Sequence, residues 1–390
     1  MIDIPSRFSL HTNAFADFWN SEDGREMLNL LPATPKLDLA KESIPLLFAK
    51  DDLADEVIDD IFLGKPFGEA LQFATDCIAN GTGESASLRE LARQMTTVPD
   101  WVNTDLLDLG RKVCQRSGKS GLIVLRNYSL MLGYQSAAIN KPLIATGALH
   151  SGAVKRIADT TNFWYAVTGT NALQRGNEGF NYCVRTRLVH AYSRVMIKQK
   201  LDWSIDQQGE PLNFWDMVAT YLGFSLVFMR GLQNLGISVT EDESDAVYHL
   251  WKYIGYLIGI PPEIMPDNNL AAIKSLYLWS KTQPEADADS IALAHALHLE
   301  PLKAPWPARL SQKKFIQQVN LSFNYHLIGS RSCKILQLPE PKSKWIAKAV
   351  RNVNRIDDAL GKMQWYRVLQ IRRGRADQLV IRNRVNMQQS

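Results

Sequence analysis

Between Thr240 and Pro262 the residue types spell out one complete helix. Thr240 followed three residues later by Glu243 is a capping box, and Glu241 and Asp242 put negative charge where the helix dipole favours it. Ala246, Val247, Leu250, Trp251, Ile254, Leu257 and Ile258 then recur at helical spacing, and the pair Pro261–Pro262 stops the run. The same period returns over 53–62, 86–96, 103–117, 120–136, 151–168, 183–200, 213–235, 268–282, 286–298, 310–328 and 343–370. No stretch alternates with period two long enough to argue a strand, and no internal repeat is visible. The fold class that follows is all-α.

A chain of 390 residues, 46% hydrophobic and 22% charged, buries a sizeable core without staples or structural metal. Disorder, collagen and disulfide mini-protein classes are excluded. Cys77, Cys114, Cys183 and Cys333 lie far apart, without a CxxC pair, which points to buried thiols in a reducing compartment. The N-terminal residues show no basic start followed by an apolar run, and no ~18-residue apolar run occurs. The expectation is a cytoplasmic, non-spanning protein. Its organisation reads as an N-terminal helical region (1–100), a central core (101–335) and a basic C-terminal helical segment (336–390).

The net charge of +4 hides an asymmetry. From Arg331 to Ser390 there are 14 Lys and Arg against 4 Asp and Glu, a balance of +10, so the rest of the chain carries −6. Such a segment packs on an acidic body or meets an anionic surface. Its few aromatics, Trp345, Trp365 and Tyr366, argue against a specific nucleic-acid partner and leave peripheral membrane contact open.

The segment richest in chemistry is VRTRLVHAYSR (184–194). On a helix Arg187, His190 and Arg194 share one side. Two explanations fit. In one, the arginines pair with carboxylates of the protein and the histidine is a core residue. In the other, a planar anionic cofactor lies against this face, its metal on the imidazole and its acid groups on the arginines, as haem would allow. Upstream, Arg156, Asp159 and Thr160 (RIADT, 156–160) precede an aromatic patch containing Phe163 and Trp164, a plausible pocket lining.

These blocks, followed by PLNFWDMVATYLGFSLVFMRGLQNLGISVTEDESDAVYHLWKYIGYLIGIPPEI (211–264), resemble the MpaB/rubber-oxygenase (latex-clearing protein) family over residues 110 to 330. The resemblance implies a helical, globin-like core around a b-type haem. It makes His190 the proximal iron ligand, Arg187 and Arg194 its flanking arginines, and Arg156 and Thr160 groups of the distal side. It also implies an oxygenase that uses dioxygen on an apolar, isoprenoid- or lipid-like substrate by cleaving a carbon–carbon double bond. Phe163, Trp164, Phe224 and Phe228 would suit such a substrate.

Two positions depart from the rubber-cleaving pattern. The lysine expected before the threonine of the R-x-x-x-T pair is Asp159, and the upstream glutamate is replaced by Asn140, which cannot act as a base. Rubber itself is therefore not the expected substrate. The rival readings are a haem protein that binds gas without turnover, and a helical interaction protein without haem in which His190 is structural. Elsewhere His295 and His298 offer two ligands without a third. No GxGxxG, P-loop or GxSxG motif occurs.

Overall fold

In a computed structural model, residues 4–9 and 13–387 are described, with only the backbone described at 148–151. Every regular element among them is helical. In chain order the α-helices of seven residues or more are α1 (Glu22–Leu30), α2 (Asp52–Ile61), α3 (Phe67–Asn80), α4 (Ala86–Thr96) and α5 (Thr104–Arg116). Next comes α6 (Gly118–Val124), which runs on through a π-helical turn, Leu125–Leu130. Then follow α7 (Ala137–Ala145), α8 (Ala148–Val167), α9 (Glu178–Lys200), α10 (Phe214–Phe224) and α11 (Leu226–Asn234). The chain closes with α12 (Glu241–Leu257), α13 (Asn269–Ser280), α14 (Ala288–Lys303), α15 (Leu310–Leu327), α16 (Gly329–Ile335), α17 (Trp345–Leu360) and α18 (Gln364–Asn386). The all-α expectation holds.

Helix α12 forms as its sequence reads. Thr240 accepts from the Glu243 amide and Glu243 reaches back to the Thr240 amide. The residues at helical spacing from Ala246 to Leu257 are buried. Its end differs from the reading: the helix stops at Leu257, ahead of the prolines, because Gly259 takes φ +96° and the Ile260 amide turns back to the Gly255 carbonyl.

The core surrounds α8, α9 and α12, with α5 packed on α12, α14 on α8, and α2 on α9. The N-terminal region is bolted on by polar anchors in an apolar setting. Arg7 pairs with Asp216 at 3.0 Å, and Trp19 Nε1 donates to Ser280 at 2.7 Å. Arg230 and the Tyr128 hydroxyl both bind Asp23. The C-terminal segment packs on the body as well. In α18, Gln378 donates to the Cys114 carbonyl, Asn386 meets Asn162, and Arg375 lies 3.3 Å from the centre of the Tyr165 ring. Gly374 permits this approach, since a Cβ there would sit 2.2 Å from the Gln115 carbonyl oxygen.

Several boundaries differ from the sequence reading. The 213–235 run breaks at Ser225 (φ −108°, ψ −82°), and the 343–370 run breaks at Gly361–Met363. Helices α1, α3, α7 and α16, and the part of α18 beyond residue 370, lie outside the runs that the sequence predicts. The four cysteines are free; three are buried and Cys77 is half-buried.

Candidate haem-type site

A cavity of about 980 Å³ opens inside the bundle, lined mainly by apolar side chains. That is the upper end of the size range of small-molecule and cofactor sites. Helix α9 contributes Thr186, Val189, His190 and Ser193 to its wall. Val189 is an aliphatic residue in the middle of a core helix, yet it is 37% exposed, and it lines the cavity. Helix α8 contributes Arg156, Asp159, Thr160 and Phe163 to the same cavity.

His190 is enclosed by protein. Its Nδ1 is sealed from solvent with no hydrogen-bond partner, which leaves Nε2 as the nitrogen the cavity can reach. Desolvation, reinforced by the nearby Arg194 charge, pushes its pKa down to about 4. The imidazole is therefore neutral at pH 7, the form that binds a metal.

Arg156 presents the opposite oddity, a cation without an anion. Its guanidinium sits 5.3 Å from the centre of the Tyr134 ring and makes no hydrogen bond or ion pair among the described residues. Burial pulls its pKa down to about 10, so it stays charged at neutral pH. Tyr134 is itself buried with its hydroxyl unpartnered. Nothing in its sequence neighbourhood singles that tyrosine out. Thr160 lies one turn beyond Arg156 on the same wall. Asp159 stands at the exposed rim, paired with Lys155 at 2.6 Å. Asn140 also lines the cavity; its amide nitrogen donates to the Tyr134 carbonyl and to Ser290, both at 3.1 Å, and its Oδ1 is unpartnered.

The two arginines flanking His190 go elsewhere. Arg187 binds Asp51 through Nε (2.6 Å) and Nη2 (2.9 Å), and Gln94 at 2.8 Å. Arg194 binds Asp55 through Nε at 2.7 Å and the Asp51 carbonyl at 3.3 Å. Neither arginine lines the cavity. The expectation that they clasp a cofactor's acid groups is corrected on a simple geometric ground. At 100° per residue, positions seven apart fall about 20° from each other, while the histidine between them is turned by roughly 40–60°. The arginines therefore face α2 and the imidazole faces the cavity. Asp51, the N-cap of α2, and Asp55, one turn into the helix, are the partners that sequence reasoning missed.

The aromatic patch divides the same way. Phe163 and Phe224 line the cavity, whereas Trp164 and Phe228 are fully buried behind them. Trp251 completes a stack on the cavity wall, 4.5 Å from Phe224 and 5.2 Å from Trp164 between ring centres. Away from the cavity, His295 bonds the Gln337 carbonyl and His298 accepts from Gln317, so the two histidines serve separate partners. Among the described residues no group of three or more His, Cys, Asp or Glu is placed to hold a metal ion. A haem iron needs only the one imidazole.

Residues 120–356, more than half of the chain, match the family described as ER-bound oxygenase mpaB/B'/Rubber oxygenase, catalytic domain. The chain belongs to this family of oxygenases. Among individual relatives, it is 28% identical over 188 residues to the Rubber oxygenase of Streptomyces sp. (strain K30); the match takes in 47% of this chain and 46% of that protein. The chain thus spans about half the length of that relative. Its fold is also that of a solved structure titled "Structure of Latex Clearing Protein LCP in the closed state". The TM-score is 0.62 at 21% identity, over 85% of this chain and 91% of that one. The family match contains the cavity-lining helices α8, α9 and α10, and ends within α17.

Proposed function

We propose that the chain is a haem b-dependent oxygenase that uses dioxygen on an apolar, isoprenoid- or lipid-like substrate, cleaving a carbon–carbon double bond to carbonyl products. The observation that carries this reading is that a neutral imidazole and a cation without an anionic partner among the described residues both line one large apolar cavity. A buried cation without an anion is costly, and a group bearing both a metal and an acid function would ligate the His190 Nε2 while giving Arg156 an anionic partner.

His190 would hold the iron through Nε2, and Arg156 would meet an acid group of the cofactor or orient a ligand beside it. Bound haem supplies an open coordination position for dioxygen, whose reactivity depends on donors in the distal pocket. Thr160 carries a hydroxyl on that wall that can donate a hydrogen bond. Asp159 puts a carboxylate at the rim, and Asn140 offers only amide hydrogen bonds, so neither repeats the lysine and glutamate of rubber-cleaving relatives. Phe163, Phe224 and Trp251 exclude water and offer flat apolar surface to a hydrocarbon. Arg187 and Arg194 position His190 by fixing α9 against α2.

Two measurements test the reading. Protein reconstituted with hemin should show a Soret band that His190→Ala lacks. Aerobic incubation of the loaded protein with unsaturated isoprenoids should yield aldehydes or ketones. A protein that takes up no hemin overturns the cofactor, and one that binds hemin and oxygen reversibly without product is a gas-binding protein instead.

A further inference from the structure

The C-terminal helices α17 and α18 pack on the body through one side only. In α17, Ala347 is buried and Asn354 donates to Ser120 and to the Leu235 carbonyl. On the outer side Trp345, Val353, Ile356 and Leu360 recur at helical spacing and stand exposed, Trp345 and Ile356 at 67% each, and Met363 is exposed at the break that follows. Trp365, Val368 and Leu369 continue the exposed apolar surface into α18, Trp365 at 66%. A run of this length left in water is unusual for a monomer surface.

The unpaired charges around it are of one sign. Lys342, Lys348, Arg355, Lys362 and Arg372 are exposed, and none forms an ion pair among the described residues. The segment's four acids are already occupied: Glu340 pairs with Lys344, Asp357 binds Arg373, Asp358 binds Arg116, and Asp377 binds Lys119. An apolar face carrying tryptophans and rimmed by unpaired cations is the composition of a helix that lies in an anionic lipid interface. The far end of α18 leads to the cavity, whose wall includes Ile381, Arg384 and Val385. There Arg384 stacks on Trp306, 4.1 Å from its ring centre.

We propose that the α17–α18 pair is a docking face for an anionic bilayer surface, with Trp345, Ile356 and Trp365 entering the interface and the unpaired lysines and arginines meeting lipid headgroups. The charge complementarity selects an anionic lipid over a second copy of this chain, since two copies would bring the same cations together. The proposal stands independently of what fills the cavity. If the oxygenase reading also holds, an apolar substrate can pass from bilayer to cavity along α18.

The test is sedimentation of the full chain with vesicles of phosphatidylcholine alone and with roughly 30% phosphatidylglycerol added, at low and high salt. Wild type should sediment with the anionic vesicles, lose binding as salt rises, and show a blue shift of tryptophan emission. Trp345→Ser with Trp365→Ser, and separately Lys348→Glu with Arg355→Glu, should each weaken binding at least about tenfold. Their circular dichroism and melting temperature should not change, because all four side chains are exposed. Absence of binding, equal binding to neutral vesicles, or variants that sediment like wild type would each overturn the proposal. A concentration-dependent dimer abolished by the tryptophan substitutions would overturn it in favour of a self-association face.

Discussion

At the scale of single residues, the site was legible in kind and only partly in role. The R-x-x-H-x-x-x-R block marked out His190, whose imidazole does face the cavity. Residue type could not say where the two arginines point, because that depends on what α2 brings against them. Replacing Arg187 with Ala is therefore expected to act mainly on stability. It strands the Asp51 carboxylate, and breaking a buried pair costs about 3–5 kcal/mol in denaturant unfolding. His190→Ala should leave stability near native and abolish hemin binding in a Soret titration. Arg156→Ala should weaken that binding by about 1.5–3 kcal/mol, the worth of one charge-assisted hydrogen bond. Acid should expose a different histidine. His298 is buried and accepts from Gln317, and desolvation, with the charges of His295 and Arg126, pushes its pKa down to about 4. Its imidazole is neutral in the fold and takes up a proton in the unfolded chain below the usual value near 6.5. The unfolded state then binds more protons, so stability falls as pH drops from about 6.5 toward 4, by up to about 1.4 kcal/mol per pH unit for this group. In urea titrations across that range, His298→Gln should show a shallower loss than wild type.

At the scale of elements, helices with large apolar faces were legible and those with small ones were not. Helix α3 buries Ala70, Ala74, Thr75 and Ile78, a face too slight to register as a hydrophobic period. The long runs were read correctly as helical but not where they break, because Ser225 and Gly361 are set by packing. A Cβ at Gly361, for example, would stand 2.4 Å from the Gln370 side chain. Gly259 shows how much one such position can carry. It ends α12 with a left-handed φ, and a Cβ there would meet Asp51 Oδ2 at 2.2 Å and Arg187 Nε at 2.9 Å. The turn that stops one helix thus also leaves room for the ion pair that fixes α9. Gly64 has a comparable φ of +77° with no atom within 4 Å of an added Cβ. Gly64→Ala should cost only the backbone strain, about 1–2 kcal/mol, whereas Gly259→Ala should cost clearly more, because the buried pair must move too. Equal shifts in urea midpoint would mean that the pair tolerates the intrusion.

At the scale of the molecule, the division into three regions describes the sequence better than it describes the cavity. Phe15, Phe18 and Trp19 line it from the N-terminal region, α8, α9 and α10 from the centre, and Ile381, Arg384 and Val385 from the last helix. Side chains more than three hundred positions apart line one cavity, and no local pattern could announce that. A ligand that binds only the assembled cavity should therefore stabilise all of its walls together, by RT ln(1 + [L]/Kd), about 2.7 kcal/mol at a hundredfold excess over Kd. Hemin is expected to slow amide exchange in α18 and around Phe15–Trp19 as well as in α8 and α9, and none of this slowing should occur in His190→Ala. Protection confined to α8 and α9 would mean that the ends of the chain close the cavity sterically without sharing its energetics. Protection reaching both ends would make cofactor binding the event that joins the three regions into one cooperative unit.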